Sequence, residues 1–264
     1  MSKQTISADP DSDPELDLVV ITGASGHLGQ AIVQRYLEES DLRVIALGRA
    51  RTDKSAELES SWSQISSAFA CLYLDELQAK NQSVSDTLAE RFPGSRITVL
   101  INNGASQALG ALSEFTTEQW NSMLTESFLS IVELTQGLID QMGAGSSIVN
   151  ISSVEARVAF PNHGAYASAK GALEAYTRSL ANEYGRHGIR ANVVEPGLVE
   201  RDGLAQAWPQ GYAAWKNTSP TGGPVLAEQV ANVVHFLGSK GSLGINGVVI
   251  PVDGGWLSSA RMSL

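Results

Sequence analysis

The sequence is short of cysteine, of aromatic residues and of long apolar runs. One of its 264 residues is cysteine, Cys71, and 6% are aromatic. A single cysteine excludes an internal disulfide, and no Cys/His cluster has metal-ligand spacing, so neither an oxidising compartment nor a metal site is expected. No segment reaches the ~18 consecutive apolar residues of a membrane span, and the polar start lacks the apolar core of an export signal. We therefore expect a cytoplasmic protein without a membrane partner.

Basic side chains are also scarce, with 18 Lys and Arg against 28 Asp and Glu and a net charge of −10. Such a chain repels a phosphate backbone, so a small molecule is a better candidate partner than nucleic acid. A chain of this length buries roughly three-quarters of its unfolded surface, which suffices for one large core. Residues 1–16 are acidic, contain two prolines and predict a disordered tail. Residues 17–264 are then expected to form one domain.

Short β-branched runs alternate with segments of helical period from Leu18 onwards. Because the runs are continuously apolar and their connections are longer than hairpins, the strands should be parallel and buried on both faces. The pattern predicts a single-domain α/β fold of the doubly wound Rossmann type, with helices on both faces of a seven-stranded parallel sheet. The seven predicted strands are Leu18–Thr22, Arg43–Leu47, Phe69–Leu74, Ile97–Ile101, Ser147–Ser152, Ile189–Val194 and Gly247–Val252.

A glycine-rich turn follows the first predicted strand and runs directly into a helical pattern. Glycines at such a junction let a pyrophosphate approach the N–H groups at the helix start, where the helix dipole favours negative charge. Glycine also ends strands for purely structural reasons, so the turn alone does not decide for a dinucleotide. The candidate cofactor contacts in this turn are Thr22, Gly23, Ser25, Gly26, His27, Leu28 and Gly29.

The second predicted strand ends in Gly48-Arg49 where an acidic residue would hold an adenosine ribose 2′-hydroxyl. Glycine leaves room for a 2′-phosphate, and arginine supplies the planar donor fork that phosphate prefers. The pattern favours NADP(H) over NAD(H). The alternative is that Arg49 is a solvated loop residue.

Tyr166 and Lys170 lie one turn apart on a long predicted helix, so they share one face. An ammonium close to a phenol favours the phenolate and lowers its pKa, which would let the tyrosine exchange protons. Ser153, thirteen residues before Tyr166, closes the fifth predicted strand. Its hydroxyl is therefore expected at the carboxyl edge of the sheet, where doubly wound folds bind ligands.

These motifs together resemble the short-chain dehydrogenase/reductase family, and the resemblance extends from residue 18 to residue 257. The family motifs occur in the family's order and at compatible spacings. They are Thr22-Gly23, Asn102-Asn103, Ser153, Tyr166 with Lys170, Pro196-Gly197 and Asp253-Gly254-Gly255.

The resemblance implies roles for individual residues. Tyr166 would be the general acid/base, Ser153 would orient the substrate carbonyl, and Lys170 would bind the nicotinamide ribose and tune the tyrosine. Further cofactor contacts implied by the motifs are Asp75 at the end of the third strand, the backbone of Asn102 and Gly104, Pro196, Gly197 and the backbone of Val199. The family also implies a homo-oligomer, either a dimer or a homotetramer.

Three positions depart from the family pattern. Gly26 comes one place early, so His27 stands where the family has glycine, and it would either face the pyrophosphate or simply pack. Ser127 replaces an asparagine that anchors a water in the family's proton relay, so the relay either uses this hydroxyl or is rerouted. Arg201 replaces a threonine that contacts the nicotinamide carboxamide.

Residues 198–224 correspond to the substrate lid of the family. Leu204, Trp208, Tyr212 and Trp215 recur there at helical period, a stripe that either packs on the core or faces the cleft. If Trp208 and Phe160 contact the substrate, it is bulky and apolar or aromatic, as in a ketoreductase that reduces a polyketide intermediate. A 3-oxoacyl reductase is a second hypothesis. A non-catalytic nucleotide-sensing protein on the same fold is a third.

Overall fold

The structure is a computed structural model, and it describes residues 16–259. The tail predicted for residues 1–16 lies outside the described residues except for Leu16, and so do residues 260–264 of the predicted domain.

Seven parallel strands form one sheet at the centre of the fold. They are β1 (Leu18–Thr22), β2 (Arg43–Gly48), β3 (Phe69–Tyr73), β4 (Ile97–Asn102), β5 (Ser147–Ile151), β6 (Arg190–Pro196) and β7 (Val249–Val252). Their order in the sheet is β3-β2-β1-β4-β5-β6-β7, and every neighbouring pair is parallel. The predicted doubly wound parallel sheet is confirmed.

Helices connect the strands and cover both faces of the sheet. They are α1 (His27–Glu39), α2 (Asp53–Ile65), α3 (Leu74–Ala79), α4 (Val84–Arg91), α5 (Thr117–Leu124), α6 (Ser130–Leu138), α7 (Gly164–Tyr184), α8 (Leu204–Ala207), α9 (Pro209–Thr218) and α10 (Ala227–Gly238). A π-helical turn, Thr125–Leu129, joins α5 to α6, and a 3₁₀ turn, Val154–Ala156, follows β5.

Alternate residues of the central strands pack into two hydrophobic cores, one on each face of the sheet. On β1, Val19 and Ile21 pack with Ile32 of α1 and Val234 of α10. On the other face, residues that include Val20 of β1 pack with side chains of α4, α6 and α7. Both faces of β1 are therefore fully buried, which explains why its sequence is continuously apolar.

Several predicted boundaries are wrong by one or two residues. The third strand ends at Tyr73, because Leu74 already begins α3. The fifth ends at Ile151, the sixth runs on to Pro196, and the seventh begins at Val249. The connection from residue 197 to residue 224, where the sequence has a stripe of helical period, contains the helices α8 and α9.

The chain reverses its winding direction between β1 and β4, which are neighbours in the sheet. It builds β2 and β3 on one side of β1 and then returns to build β4 to β7 on the other side. Ligands of open α/β sheets bind at such a switch point, beside the carboxyl ends of the strands. The loops after β1, β2, β4, β5 and β6 are thus the places to look for function.

We expect Gly29→Ala and Gly137→Ala to shift thermal stability in opposite directions. A Cβ at Gly29 would lie 2.1 Å from the Gly23 carbonyl oxygen, whereas a Cβ at Gly137 has no neighbour within 4 Å. Overpacking at residue 29 should cost about 1–3 kcal/mol. Alanine in the exposed helix position 137 should instead add about 0.5–1 kcal/mol. Thermal melting followed by circular dichroism measures both, and equal melting temperatures would contradict the tight packing at Gly29.

Candidate active site

The turn after β1 is held tightly against the loop after β4. Gly23 has a φ of +63°, and a Cβ there would lie 2.8 Å from the Cα of Gly104. The hydroxyl oxygen of Thr22 accepts hydrogen bonds from the backbone N–H groups of Asn103 (3.0 Å) and Gly104 (2.9 Å). The side-chain amide of Asn103 donates in return to the carbonyl oxygens of Thr22 and Gly23. Only glycine permits this close approach of two backbones at residue 23.

The N-terminus of α1 fits a pyrophosphate. Its N-cap residue is Gly26, and no side chain among residues 16–259 caps the first turn. The first N–H groups of a helix need an acceptor, and an anion satisfies them best because the helix dipole is positive there. His27, the first helical residue, lines a cleft of about 440 Å³ whose other wall contains residues of the connection after β6. These features suit the phosphates of a dinucleotide.

Asn103 is a site residue that the sequence interpretation missed. Its neighbour Asn102 is fully buried and donates from its side chain to Asn150 Oδ1 at 2.8 Å and to Thr135 Oγ1 at 3.3 Å. The side chain of Asn102 thus joins β4 to β5 inside the fold, and the contact of its backbone with a cofactor stays a prediction. The motif Asn102-Asn103 was the sequence feature that could have pointed to a role for the Asn103 side chain.

Arg49 and Asp75 lie beyond the second and third strands. Arg49 is exposed, and its Nη1 lies 3.1 Å from Glu126 Oε2 in the π-helical turn. The Glu126 carboxylate also accepts from Ser122 Oγ, and this bond is the first cause that lowers its pKa. Asp75 was expected at the end of β3, but it lies in the first turn of α3, where its carboxylate accepts the N–H of Glu76.

Ser153, Tyr166 and Lys170 come together at the carboxyl end of β5. Ser153 lies two residues past β5, and Tyr166 and Lys170 occupy the first two turns of α7. Lys170 is 1% exposed, and its Nζ donates to the Ile151 carbonyl oxygen at 2.8 Å. The same Nζ lies 5.6 Å from the centroid of the Tyr166 ring. Ser153 lies close enough to Tyr166 to lower the pKa of its phenol.

The pKa values at this site are dominated by burial. Burial raises the pKa of the Tyr166 phenol above its usual value, and the charge of Glu155 adds to the rise, while the Ser153 hydrogen bond opposes it. Burial lowers the pKa of Lys170 to about 8. Desolvation is the largest cause acting on the phenol, and the Lys170 ammonium donates to the Ile151 carbonyl oxygen. That Lys170 tunes the tyrosine stays a prediction.

Glu155 and His163 form a hydrogen-bonded pair near Tyr166 that the sequence interpretation did not identify. His163 Nδ1 lies 2.7 Å from Glu155 Oε2. The backbone N–H of Glu155 donates to Ser153 Oγ at 3.2 Å. The pair depends on the fold of the segment between β5 and α7, and its only sequence signal was the position of His163 three residues before Tyr166.

Ser127 lies in the π-helical turn and is fully buried. Its Oγ donates to the Ser106 carbonyl oxygen at 2.9 Å and accepts the Ser106 N–H at 3.1 Å. Since a hydroxyl has one proton to donate, this bond leaves Ser127 no donor for a water. The geometry favours the rerouted relay over one that runs through Ser127.

The helical stripe after β6 is divided between the core and the surface. Leu204 and Trp215 are buried, Tyr212 is half-buried and donates to Glu200 Oε2 at 2.7 Å, and Trp208 is 44% exposed. Trp215 stacks on Trp256 with ring centroids 4.5 Å apart.

Phe160 also stacks on Trp256, at 5.7 Å between centroids. Gly197 lies beneath this aromatic group, because a Cβ there would be 2.6 Å from Trp215 Cζ2. The backbone of Val199 pairs with Val225 in an isolated parallel bridge. Arg201 is exposed and lines the same cleft as His27.

A buried acidic pair lies behind the serine and lysine. Glu195, at the end of β6, is fully buried. Its Oε1 forms an ion pair with Arg157 Nε at 2.9 Å, but the angle between the two groups does not meet that of a hydrogen bond. Glu174, one turn after Lys170, accepts from Ser152 Oγ at 2.9 Å. Burial raises the pKa of Glu195 to about 7; Arg157 opposes the rise, and the neighbouring Glu174 adds to it.

Comparison with known proteins agrees with this geometry. The chain matches the family model described as enoyl-(acyl carrier protein) reductase over residues 23–257. It belongs to the short-chain dehydrogenase/reductase family. It is 31% identical to L-xylulose reductase of Bos taurus over 91% of this chain and 96% of that protein. It is 30% identical to D-threitol dehydrogenase of Mycolicibacterium smegmatis over 96% and 97% of the two chains.

Solved structures of short-chain dehydrogenases/reductases share the fold. An oxidoreductase of this family from Burkholderia thailandensis has a TM-score of 0.79 at 30% identity, covering 94% of this chain and 95% of that one. A gluconate 5-dehydrogenase from Burkholderia cenocepacia, in complex with NADP and tartrate, has a TM-score of 0.82 at 25% identity, covering 92% and 96%.

The chain is thus an oxidoreductase of this family. Between residues 16 and 259, no helix is both long and apolar enough to cross a bilayer.

We expect Glu195→Gln to flatten the pH dependence of this reductase's stability. The glutamate pKa rises from about 4.3 in an unfolded chain to about 7 in the folded protein. The folded state therefore holds an extra proton between these values, and the free energy of unfolding falls as pH rises from about 4.3 to about 7.

Glutamine cannot ionise, so Glu195→Gln should lose less stability than the wild type between pH 5 and pH 8. Urea unfolding across that range measures the difference. The same change at Glu133, which is exposed, is the matched control. Parallel pH curves for the wild type and Glu195→Gln would contradict the raised pKa.

Proposed function

We propose that the protein is an NADP(H)-dependent oxidoreductase that interconverts a ketone and a secondary alcohol. The observation that carries the proposal is the meeting of Ser153, Tyr166 and a fully buried Lys170 at the carboxyl end of β5. Relatives named for the oxidation or reduction of sugars and polyols support the reaction type. A nucleotide sensor would have no need of a proton donor, and this alternative is set aside because the family assigns the chain to the oxidoreductases.

Tyr166 would give its phenolic proton to the carbonyl oxygen during reduction and take a proton back during oxidation. Ser153, which lies close to Tyr166, would hold that oxygen in line with the phenol. A bound nicotinamide supplies the hydride that reaches the carbonyl carbon. Lys170, fixed by Ile151, would bind the ribose and stabilise negative charge on the phenolate. Ser127, committed to Ser106, is proposed as a residue that fixes the loop after β4, and not as a proton carrier.

The cofactor would lie across the switch point between β1 and β4. Its pyrophosphate would face the N-terminus of α1, which has no side-chain cap among the described residues. Its adenosine would lie toward Arg49 and Asp75, and its nicotinamide toward Tyr166 and Gly197. The remaining proposed contacts are Thr22, Gly23, Ser25, Gly26, His27, Leu28, Gly29, Asn102, Gly104, Lys170, Pro196 and Val199.

Residues 198–224, with the helices α8 and α9, are proposed as the substrate lid. Phe160 is half-buried beside the catalytic residues, and Trp208 remains exposed on the lid. These two aromatic side chains support a bulky apolar or aromatic ketone such as a polyketide intermediate. The 3-oxoacyl reductase hypothesis remains the alternative, and carrier-bound and free ketones in one assay separate the two.

A homo-oligomer is also proposed for this chain, as a dimer or a homotetramer. Large apolar side chains stay exposed outside the cleft, namely Leu129 (43%), Phe236 (42%), Leu243 (58%) and Val248 (36%). A partner copy that covers them would remove apolar surface from water. Light scattering after size exclusion tests the oligomer, whereas the cytoplasmic location remains a prediction.

We expect Tyr166→Phe to reduce kcat by at least about 100-fold, the cost of losing a general acid. Only the hydroxyl is removed, so the affinity for NADPH should stay within a factor of about two. Following NADPH absorbance with a panel of ketones measures the rate, and fluorescence titration measures the affinity. Tyr184→Phe, at the far end of α7, is the matched control. Turnover of Tyr166→Phe close to that of the wild type would overturn the proposed proton donor.

We expect the double variant Gly48→Asp, Arg49→Leu to prefer NADH over NADPH. The aspartate repels the 2′-phosphate, and the lost guanidinium removes a charged hydrogen bond worth about 1.5–3 kcal/mol, or roughly 10- to 100-fold in affinity. Arg51→Leu is the control, because Arg51 is already paired with Glu59 at 2.9 Å.

Glu126→Gln tests the same proposal from the other side. It frees Arg49 from its ion pair and should tighten NADPH by about 2- to 5-fold, the scale of an exposed ion pair. Binding of NADH should not change. Equal affinity of the wild type for the two cofactors would show the NADP(H) preference to be wrong.

A further inference from the structure

The segment between Ser153 and Tyr166 presents a polar pair to the catalytic residues. Glu155 belongs to the 3₁₀ turn after β5, and His163 is the N-cap residue of α7. His163 Nδ1 lies 2.7 Å from Glu155 Oε2. Glu155 is bound to Ser153 through its backbone N–H. The pair is thus attached directly to the residue that would orient the carbonyl.

The Glu155 carboxylate has one oxygen that is weakly bound. Oε2 is committed to His163, whereas Oε1 has only Gln107 Nε2 at 3.5 Å, the outer limit of a hydrogen bond. Gln107 lies in the loop after β4 and is exposed. A half-buried carboxylate with one weakly bound oxygen favours a neutral donor from a ligand, since such a bond restores the hydration it has lost.

The charge of Glu155 is close to the reacting atoms. It contributes to the raised pKa of Tyr166, and burial raises its own pKa despite the bond to His163. The negative charge of Glu155 repels an anionic group next to the reacting carbon. It attracts a hydroxyl, which can donate to Oε1.

Apolar side chains lie exposed on the loop after β4. Leu109 and Leu112 are 59% and 60% exposed, in the loop that also carries Gln107. The backbone N–H of Gly110 donates to the Asn162 carbonyl oxygen at 2.9 Å and holds this loop beside His163. The Glu155–His163 pair and the exposed leucines thus lie on neighbouring segments. This combination suits a molecule with a hydroxyl near its carbonyl and an apolar remainder.

We propose that Glu155, held by His163, accepts a hydrogen bond from a hydroxyl on the carbon next to the substrate carbonyl, so that the substrates are hydroxyketones and the corresponding vicinal diols. This assignment rests on the proposed oxidoreductase function and narrows its substrate class. Glu155 is then a specificity-determining residue and His163 a positioning residue.

Three ketones of nearly equal size test the assignment. Butanone has no second polar group, 1-hydroxybutan-2-one has a hydroxyl beside the carbonyl, and 1-methoxybutan-2-one keeps that oxygen but cannot donate. The wild type should show a kcat/KM for the hydroxyketone about 10- to 100-fold above the other two, the range of a hydrogen bond to a charged group. Equal values for the hydroxy and methoxy compounds would overturn the assignment.

The variant Glu155→Gln should remove most of this discrimination through KM for the hydroxyketone. Because the charge of Glu155 also acts on Tyr166, the readout is the ratio of kcat/KM for the hydroxyketone to kcat/KM for butanone, which should fall toward that of the methoxy compound. His163→Gln should lower the discrimination partially, because Glu155 loses its support but keeps its charge. Glu133→Gln, with the same charge change on the exposed face of α6, is the control. A change in Glu155→Gln that is equal for all three ketones would show a purely structural role.

A binding measurement separates this inference from the proposed function. Tyr166→Phe keeps Glu155 and His163, so 1-hydroxybutan-2-one should still raise its melting temperature with NADP⁺ present more than the methoxy compound does. Absence of turnover in the wild type with all three ketones, together with this selective stabilisation, would overturn the proposed reaction and leave the hydroxyl site supported. Turnover without discrimination, or no selective stabilisation, would overturn the hydroxyl site alone.

Discussion

A buried ammonium group holds the catalytic helix on the sheet. Lys170 of α7 is 1% exposed and donates to the carbonyl oxygen of Ile151, the last residue of β5. A buried charge that loses its hydrogen bond costs several kcal/mol, so α7 cannot slide along β5 or rotate away from it. Tyr166 lies one turn before this contact and Ser153 two residues beyond it. Their meeting therefore follows from the position of one lysine.

Further polar contacts hold α7 against the sheet farther along the helix. Asn150 of β5 donates to Thr177 Oγ1 of α7 at 2.8 Å and accepts from Asn102 of β4 at 2.8 Å. These side chains are fully buried or nearly so. A shift of α7 by one residue would leave several of them unpaired, at a cost of about 1–3 kcal/mol each. Burial of apolar side chains brings the helix and sheet layers together, and the hydrogen-bonded polar side chains fix the position of α7 along β5.

Features that depend on chain order were predictable from the sequence, and features that depend on loops meeting in space were not. Continuous apolar runs predicted the strands, and the spacing of Tyr166 and Lys170 placed both on one helix face. Arg49 and Glu126 are 77 residues apart, and Ser106 and Ser127 are 21 apart, so no local pattern announces either contact. Helix α3 follows β3 without a loop, which is why Asp75 was assigned to the end of a strand.

The pKa of Tyr166 could not be obtained from the sequence either. Spacing identified its lysine neighbour but gave no measure of how deeply the ring is buried. The balance between desolvation, the charge of Glu155 and the effect of Ser153 depends on three-dimensional packing, and in the structure desolvation is the largest cause.

The stacked indoles of Trp215 and Trp256 have an optical consequence. Their planes are within 8° of parallel with centroids 4.5 Å apart, and Trp256 Nε1 donates to Thr218 Oγ1 at 2.9 Å. One ring belongs to α9 and the other to the segment after β7. Indoles this close couple their electronic transitions, so a movement of α9 over the cleft would alter the near-ultraviolet circular dichroism. The pair is thus a label-free reporter of any movement of α9 relative to the segment after β7.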